Sequence, residues 1–199
     1  MRRIATTLIC LTSLGGTLAA QERWTLTIER GFTSYSMAAH DTSTPQVRVL
    51  PWHPAVYTVR LAREGGRIGV AVSLGAAGGE LAGTSEDVVV LPGAGLGLLE
   101  VAPEMRLRLT TLATGAELVA HAGPVLDLWL PEGDDARAAY GGIAGATLLA
   151  PITRRWKVSI RTDVTITGSE VTKAETSDAL IRARTMRRGR LALGITRTL

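Results

Sequence analysis

Apolar and polar residues alternate one by one along most of the chain after residue 20, and residues 155–167 show the pattern most clearly. One face of this segment carries Trp156, Val158, Ile160, Val164 and Ile166. The other face is charged or polar, and such a two-residue period is typical of a β-strand. At about thirteen residues the strand could belong to a soluble sheet or cross a bilayer, since a tilted membrane strand needs roughly 9 to 11 residues.

The same alternation predicts an all-β fold of eight strands. The predicted strands are residues 23–32, 54–63, 67–82, 91–109, 117–130, 138–150, 155–167 and 185–199. No run at helical spacing is convincing, although residues 172–184 could form a short helix in a loop.

Two of these strands contain interruptions. Pro103 and Pro124 require unpaired or bulged positions, because proline cannot donate a ladder hydrogen bond. In the fourth strand Leu96 and Leu98 are out of phase with the residues that follow. We therefore predict a β-bulge close to Leu98 and Leu99, which would restore the phase.

The connections between the predicted strands alternate in length. The short connections are residues 64–66, 110–116 and 151–154, and the other set is residues 33–53, 83–90, 131–137 and 168–184. An up-and-down transmembrane β-barrel has short turns at one end and longer loops at the other. With an even number of antiparallel strands, both termini then lie at the turn end.

The N-terminus is typical of a secretory signal peptide. Arg2 and Arg3 precede an apolar stretch over residues 4–18, and small residues end at Ala20. Cleavage there leaves a single barrel domain over residues 21–199. It also removes the only cysteine, Cys10, so the mature chain has no disulfide and no cysteine-based metal site.

Net charge does not predict a nucleic-acid partner. The full sequence carries 22 basic and 18 acidic residues, a net charge of +4. Without Arg2 and Arg3 the balance is 20 to 18, or +2. A small excess of exposed arginines explains the basic isoelectric point.

The polar strand faces carry both signs of charge at mid-strand. In an eight-stranded barrel the lumen is just wide enough to be filled by side chains, and charges buried there must pair. We therefore expect an interior ion network, with solvated faces as the alternative. The candidate network is Glu100, Glu104, Arg106, Arg108, Asp127, Arg161 and Asp163. The same faces also hold Glu29, Arg60, Arg67, Lys157, Arg188 and Arg190.

The aromatic residues predict two belts, because membrane barrels place Trp and Tyr at both water interfaces. Trp24 and Trp156 begin strands at the turn end. Residues near the loop end are Phe32, Tyr57, Trp129 and Tyr140. Tryptophans also cap strand ends in soluble barrels, so the belts support a membrane barrel without requiring one.

The whole mature chain resembles the eight-stranded outer-membrane β-barrel proteins of the OmpA transmembrane-domain and OmpX type. Their C-terminal strand ends in a signal for the barrel-insertion machinery, and residues 192–199 are similar, with Gly194 at the expected spacing and an apolar end at Leu199. The resemblance implies an outer-membrane location, contact with outer-membrane lipid, recognition by the insertion machinery and a monomer.

Candidate chemistry is sparse. His121 could be catalytic, but no serine can be assigned beside it, and a histidine satisfied in the lumen network explains it better. His40, Asp41 and His53 share a loop in which a metal could gather them, although their spacing is loose. The glycines at 93, 95 and 97 lack the Lys-Ser or Lys-Thr of a phosphate loop. We therefore predict no catalysis, no cofactor and no metal.

A cluster of arginines where the last loop enters the last strand could contact lipopolysaccharide phosphates. Its members are Arg182, Arg184, Arg187 and Arg188. The alternative is a solvated strand end.

These observations predict a small outer-membrane barrel with a filled lumen, in a structural or surface-interaction role. The alternative from another class is a soluble periplasmic or secreted barrel whose apolar faces point inward onto a small apolar ligand. A lipid-modifying outer-membrane enzyme is a third interpretation.

Overall fold

The computed structural model describes residues 23–36, 39–41, 48–51, 55–85, 88–90, 95–133, 135–168, 181–183 and 185–199. For residues 39–41, 48–51, 80–85, 88–90 and 181–183 it describes the backbone alone. The predicted signal peptide, with Cys10, lies outside these ranges. In the described part of the chain, no helix is long and apolar enough to cross a membrane.

The described residues form twelve strands. They are β1 (Arg23–Ser36), β2 (Ala39–Asp41), β3 (Arg48–Pro51), β4 (Ala55–Gly65), β5 (Ile68–Ser85), β6 (Val88–Val90), β7 (Gly95–Thr111), β8 (Glu117–Pro131), β9 (Arg137–Pro151), β10 (Trp156–Thr167), β11 (Ile181–Ala183) and β12 (Met186–Thr198). Eight of them, β1, β4, β5, β7, β8, β9, β10 and β12, correspond to the eight predicted strands.

These eight strands close into an antiparallel barrel. Each pairs with its neighbour in the order β1, β4, β5, β7, β8, β9, β10, β12, and β12 returns to β1. The first and last strands meet with Thr25 opposite Thr198. Closure leaves no free sheet edge in the barrel wall, and the predicted eight-stranded fold is confirmed.

The four short strands extend the wall at the loop end. The far end of β5, beyond the last residue paired with β7, pairs with β3 and β6, and β2 and β11 continue the sheet beside β3. We call this five-stranded sheet the platform. The helix predicted over residues 172–184 is wrong where it can be compared, because Ile181–Ala183 is extended and hydrogen-bonded to β2.

Apolar side chains point outward from the barrel and charged side chains point inward. Ile28, Met105 and Leu193 are each more than half exposed, whereas Arg60, Arg161 and Glu100 are about 1% exposed. The soluble alternative requires the opposite arrangement. Outward apolar and inward polar faces are those of a barrel whose outer wall meets lipid.

The predicted bulge near Leu98 and Leu99 is wrong. Pairing of β7 with β8 continues in one register from Leu96 through Val101, and the register shifts instead between Arg108 and Thr110. Leu96 and Leu98 are buried in the lumen. The alternation of inward and outward side chains is therefore regular along β7. What changes towards the loop end is the chemistry of the inward side chains, from charged to apolar.

The two prolines create a seam between β7 and β8. The β7–β8 ladder has no pairs over residues 102–104 and 123–125, and Pro103 lies directly opposite Pro124 in its register. In the same ladder Glu132 donates its backbone N–H to the carbonyl of Gly95, and such pairs recur every second residue. The two prolines therefore occupy a hydrogen-bonded position at which neither has a donor.

Gly123 lets the two strands approach at this seam. A Cβ added there would collide with the carbonyl oxygen of Pro103. The backbones are thus in close contact even where the ladder is broken.

We expect Gly123→Ala to destabilise the barrel by roughly 1–3 kcal/mol, because a methyl group would push the seam apart. Gly78→Ala is the matched control, since a Cβ at Gly78 has nothing within 4 Å. The measurement is urea unfolding in detergent micelles, followed by tryptophan fluorescence. Equal stability of the two variants would contradict the close contact at the seam.

Candidate functional site

The middle of the lumen contains a continuous series of ion pairs, which we call the central ion chain. It joins nine inward side chains from six strands, and each of them is at most 5% exposed. In order along the chain they are Glu29, Arg60, Glu104, Arg161, Asp163, Arg190, Glu100, Arg188 and Asp127. Acids and arginines alternate throughout, so each charge has an opposite charge beside it.

Glu104 of β7 links one end of the chain to the opposite wall. Both terminal nitrogens of Arg161 donate to its carboxylate, at 2.9 and 3.0 Å. The Nε atom of Arg60 lies 4.0 Å from the same carboxylate, and Arg60 is paired with Glu29. Ser73 supports this junction, because it donates to Glu104 at 2.7 Å and accepts from Arg60 at 3.1 Å.

Asp163 and Glu100 carry the chain across to β12. Asp163 accepts from Arg161 at 2.6 Å and from Arg190 at 3.2 Å. Arg190 also donates to Glu100 at 3.0 Å, and Glu100 is paired with Arg188. Buried charges are tolerated only when paired and hydrogen-bonded in this way.

A second cluster, nearer the turn end, holds the remaining predicted arginines. Arg106 donates to Glu64 at 2.6 Å. Arg108 lies 3.9 Å from Glu64 and 3.8 Å from Glu117, and Lys157 donates to Glu117 at 2.9 Å. The sequence analysis missed Glu64, which it placed in a turn. Glu64 follows Arg60 by four residues on the same strand, so the two side chains point to the same face. This alternation could have predicted that Glu64 points into the lumen.

The loop end of the lumen is closed by apolar side chains. Leu96, Leu98, Trp129, Ala139 and Met186 form one buried cluster. The ring of Tyr35 meets Trp129 edge to face, with centroids 6.2 Å apart. Assigning Trp129 to an interface belt was therefore wrong, because it is 1% exposed and points inward. It lies two residues from Asp127, so its position along the strand also predicts the lumen face.

The other five residues of the predicted aromatic belts lie on the outer wall. Trp24 and Trp156 are at the turn end, while Phe32, Tyr57 and Tyr140 are near the loop end, and all are more than 40% exposed. Arginines stack on rings in both groups: Arg197 lies 5.5 Å from Trp156, and Arg30 lies 5.7 Å from both Phe32 and Tyr57.

The predicted lipopolysaccharide contacts do not form one cluster. Arg188 is buried and paired with Glu100 and Asp127, so it cannot meet a ligand at the outer surface. Arg187, the preceding residue, points outward and is exposed. The structure describes Arg182 by its backbone alone, and Arg184 lies outside the described residues.

The described residues give little support to the candidate catalytic and metal sites. His121 is 4% exposed, and neither ring nitrogen has a hydrogen-bond partner among the described residues. No group of three His, Cys, Asp or Glu side chains that could hold a metal occurs where side chains are described. His40 and Asp41 are described only as backbone of β2, and His53 and Gly93 lie outside the described residues.

Fold and lumen together define a class: an eight-stranded antiparallel barrel with an apolar outer wall and paired charges inside, which is the architecture of small outer-membrane barrels. The solved structure of the outer membrane protein AlkL in DMPC bilayers is similar, with a TM-score of 0.60, 11% identity, and 92% of this chain and 93% of that chain covered.

Two further solved structures have this fold. The outer membrane protein OprG from Pseudomonas aeruginosa matches with a TM-score of 0.59 and 5% identity over 89% of this chain and 95% of that chain. Neisserial surface protein A matches with a TM-score of 0.57 and 10% identity over 87% of this chain and 96% of that chain. No protein-family model and no curated protein matches the sequence. The similarity confirms the predicted resemblance at the level of the fold.

We expect Glu104→Gln to lower the free energy of unfolding by about 3–5 kcal/mol, because it leaves Arg161 and Arg60 without a shared carboxylate inside the lumen. Lys157→Gln is the control. It removes a partly exposed pair, for which a loss of about 1 kcal/mol or less is expected. Urea unfolding in detergent measures both. Similar small losses would show that the lumen charges are solvated.

Proposed function

We propose that the protein is a non-catalytic outer-membrane barrel with a filled lumen, which presents a β-sheet platform at the cell surface. The arrangement that carries this proposal is the combination of an apolar outer wall with the central ion chain inside it. An outer wall of exposed Ile, Val, Leu and Met side chains would aggregate in water, but is the surface that a bilayer solvates.

Three layers of side chains support a lumen closed to ions. The turn-end cluster, the central ion chain and the apolar cluster follow one another from the turn end to the loop end. In an eight-stranded barrel such packing leaves no aqueous channel. A structural or surface role then fits better than conduction.

The platform supports a surface-interaction role. It continues the wall of the barrel beyond Gly95, the first residue of β7, and its strands lie on the connections β1–β4, β5–β7 and β10–β12. Loops carried by a rigid barrel are the part of such a protein that meets other molecules.

Absence of catalysis is part of the proposal, because the buried His121 has no hydrogen-bonded nucleophile among the described residues.

We expect the chain expressed with its N-terminal segment to fractionate with outer membranes and to migrate faster before boiling than after it. A folded barrel resists SDS until it is heated, because closure leaves no edge at which unfolding starts. In a planar bilayer the same material should show no discrete conductance steps. Recovery in the soluble fraction, with one unshifted band, would support the soluble alternative instead.

We expect replacement of residues 37–54 by a short Gly-Ser linker to reduce cell-surface attachment several-fold while leaving the heat shift intact. The change removes β2 and β3, and with them the middle of the platform. Self-aggregation of whole cells and their attachment to bare and serum-coated glass provide the measurement. Unchanged attachment at equal amounts of folded barrel would leave a structural role and exclude the platform as the interacting surface.

A further inference from the structure

The lipid-facing wall has a depression beside the proline seam, formed by described residues. Its volume is about 320 Å³, and its outward-pointing lining side chains are Ile68, Met105, Leu107, Ala120 and Ala122. The volume is about twice the 150 Å³ of an engineered apolar cavity that binds benzene. We call this depression the alanine trough.

Differences in side-chain size produce the alanine trough. Ala122 lies directly opposite Met105, and Ala120 opposite Leu107, so small residues on β8 face large ones on β7. On the other side, β9 places Ala144 and Ala146 opposite the same two alanines. With strands about 4.8 Å apart, the low part of the wall is about 10 Å across.

Beyond Ala144, the wall rises again on β10, where the residue opposite is Val164. At the level of Ala122 the wall is thus higher on both sides, at Met105 and at Val164, whereas at the level of Ala120 the β10 residue is Thr162. Arg106 and His121 also line it, and because their side chains are buried in the lumen, they contribute its floor. Neither ring nitrogen of His121 has a hydrogen-bond partner among the described residues.

The proline seam lies next to the trough, on the side towards the middle of the membrane. Pro103 and Pro124 are both exposed on the outer wall. Each lies two residues along its strand from a residue of the trough, Pro103 from Met105 and Pro124 from Ala122. Their facing positions lack ladder hydrogen bonds, so this part of the wall can adjust to a ligand more readily than the fully paired wall.

The opposite end of the trough is cationic. A smaller pocket at the turn end shares Ile68 and Arg106 with the trough, and it is also lined by Arg67, Arg108 and Glu64. Glu64 accepts from Arg106 and lies 3.9 Å from Arg108, so these two arginines are paired and Arg67 carries the remaining positive charge of the lining. Arg67 is exposed, and among the described residues its Nε donates to the carbonyl of Arg108 alone, at 3.4 Å. No described carboxylate lies within 4.0 Å of Arg67. The guanidinium group is therefore available to an anion at the membrane surface.

We propose that the alanine trough binds one acyl chain of an anionic phospholipid from the leaflet at the turn end, with the lipid phosphate held at Arg67. This rests on the proposed membrane location. An unbranched hydrocarbon chain suits a narrow apolar trough, and a guanidinium group binds phosphate through paired N–H donors. The lipid joins these two features, which are adjacent because both are lined by Ile68 and Arg106.

Native mass spectrometry tests the proposal on the full chain. The barrel is reconstituted with equal phosphatidylglycerol and phosphatidylcholine, extracted in mild detergent, and its retained lipid is counted. We expect one phosphatidylglycerol per barrel. Ala120→Leu with Ala122→Leu should reduce retention of either lipid at least fivefold, because leucine fills the trough. Arg67→Gln should abolish the preference for phosphatidylglycerol.

Matched controls lie at the loop end of the outer wall. Ala138→Leu adds the same side chain outside the trough, and Arg187→Gln removes an exposed outward arginine. Both controls should retain phosphatidylglycerol as the wild type does. Equal retention by all variants, or retention of a free fatty acid instead of a phospholipid, overturns the proposal.

A second measurement needs no substitution. Phosphatidylglycerol with a photoreactive acyl chain should label the wild-type barrel mainly on β7 and β8. Labelling spread evenly over the eight strands contradicts the trough, even if the leucine variants do not fold. A heat-shift gel on the same samples separates the two proposals, since a barrel that inserts without selective labelling refutes the trough alone.

Discussion

The rest of the structure depends on the pairing of charges inside a narrow lumen. Eight strands leave room only for side chains, so each inward arginine must meet a carboxylate that another strand supplies. Arg161 reaches Glu104 across the lumen, from β10 to β7. A slip of one residue in any of these strands would turn its charges towards lipid. The ion pairs therefore specify the register of the barrel as well as contributing to its stability.

The strands and the orientation of their faces could be predicted from the sequence, because a two-residue period is a local property of the chain. The partners within the lumen could not, since Arg190 meets Glu100 only after the barrel has closed. Two errors came from judging residues by type. Trp129 was assigned to a belt although its side chain alternates in step with Asp127. Arg188 was placed on the polar strand face with Arg190, yet it was also included in the surface arginine cluster, which its burial excludes. In both cases the two-residue alternation along the strand predicted the direction of the side chain better than the residue type did.

The lumen changes its chemistry along the barrel, and this explains the false bulge. Near the loop end, Leu96 and Leu98 replace charges on the inward face of β7, so a regular strand looks out of phase. The apolar layer lies on the loop side of the ionic layer, and the two layers together disfavour the entry of both ions and apolar molecules into the lumen. Ions lose hydration against the leucines and Trp129, while apolar molecules meet the paired charges below.

The proline seam lies where the wall can best tolerate it. Unpaired backbone in a lipid-facing wall is costly, because the bilayer supplies no hydrogen-bond donors. Directly behind the seam, the lumen is lined by Ala102, Val125 and Ile143, which form a buried apolar cluster. Glu104 is nearby, but Arg161 holds its carboxylate from the opposite wall. Movement at the seam therefore exposes hydrocarbon to hydrocarbon, and the central ion chain stays shielded from lipid where the three pairs between Val101 and Met105 are missing from the β7–β8 ladder.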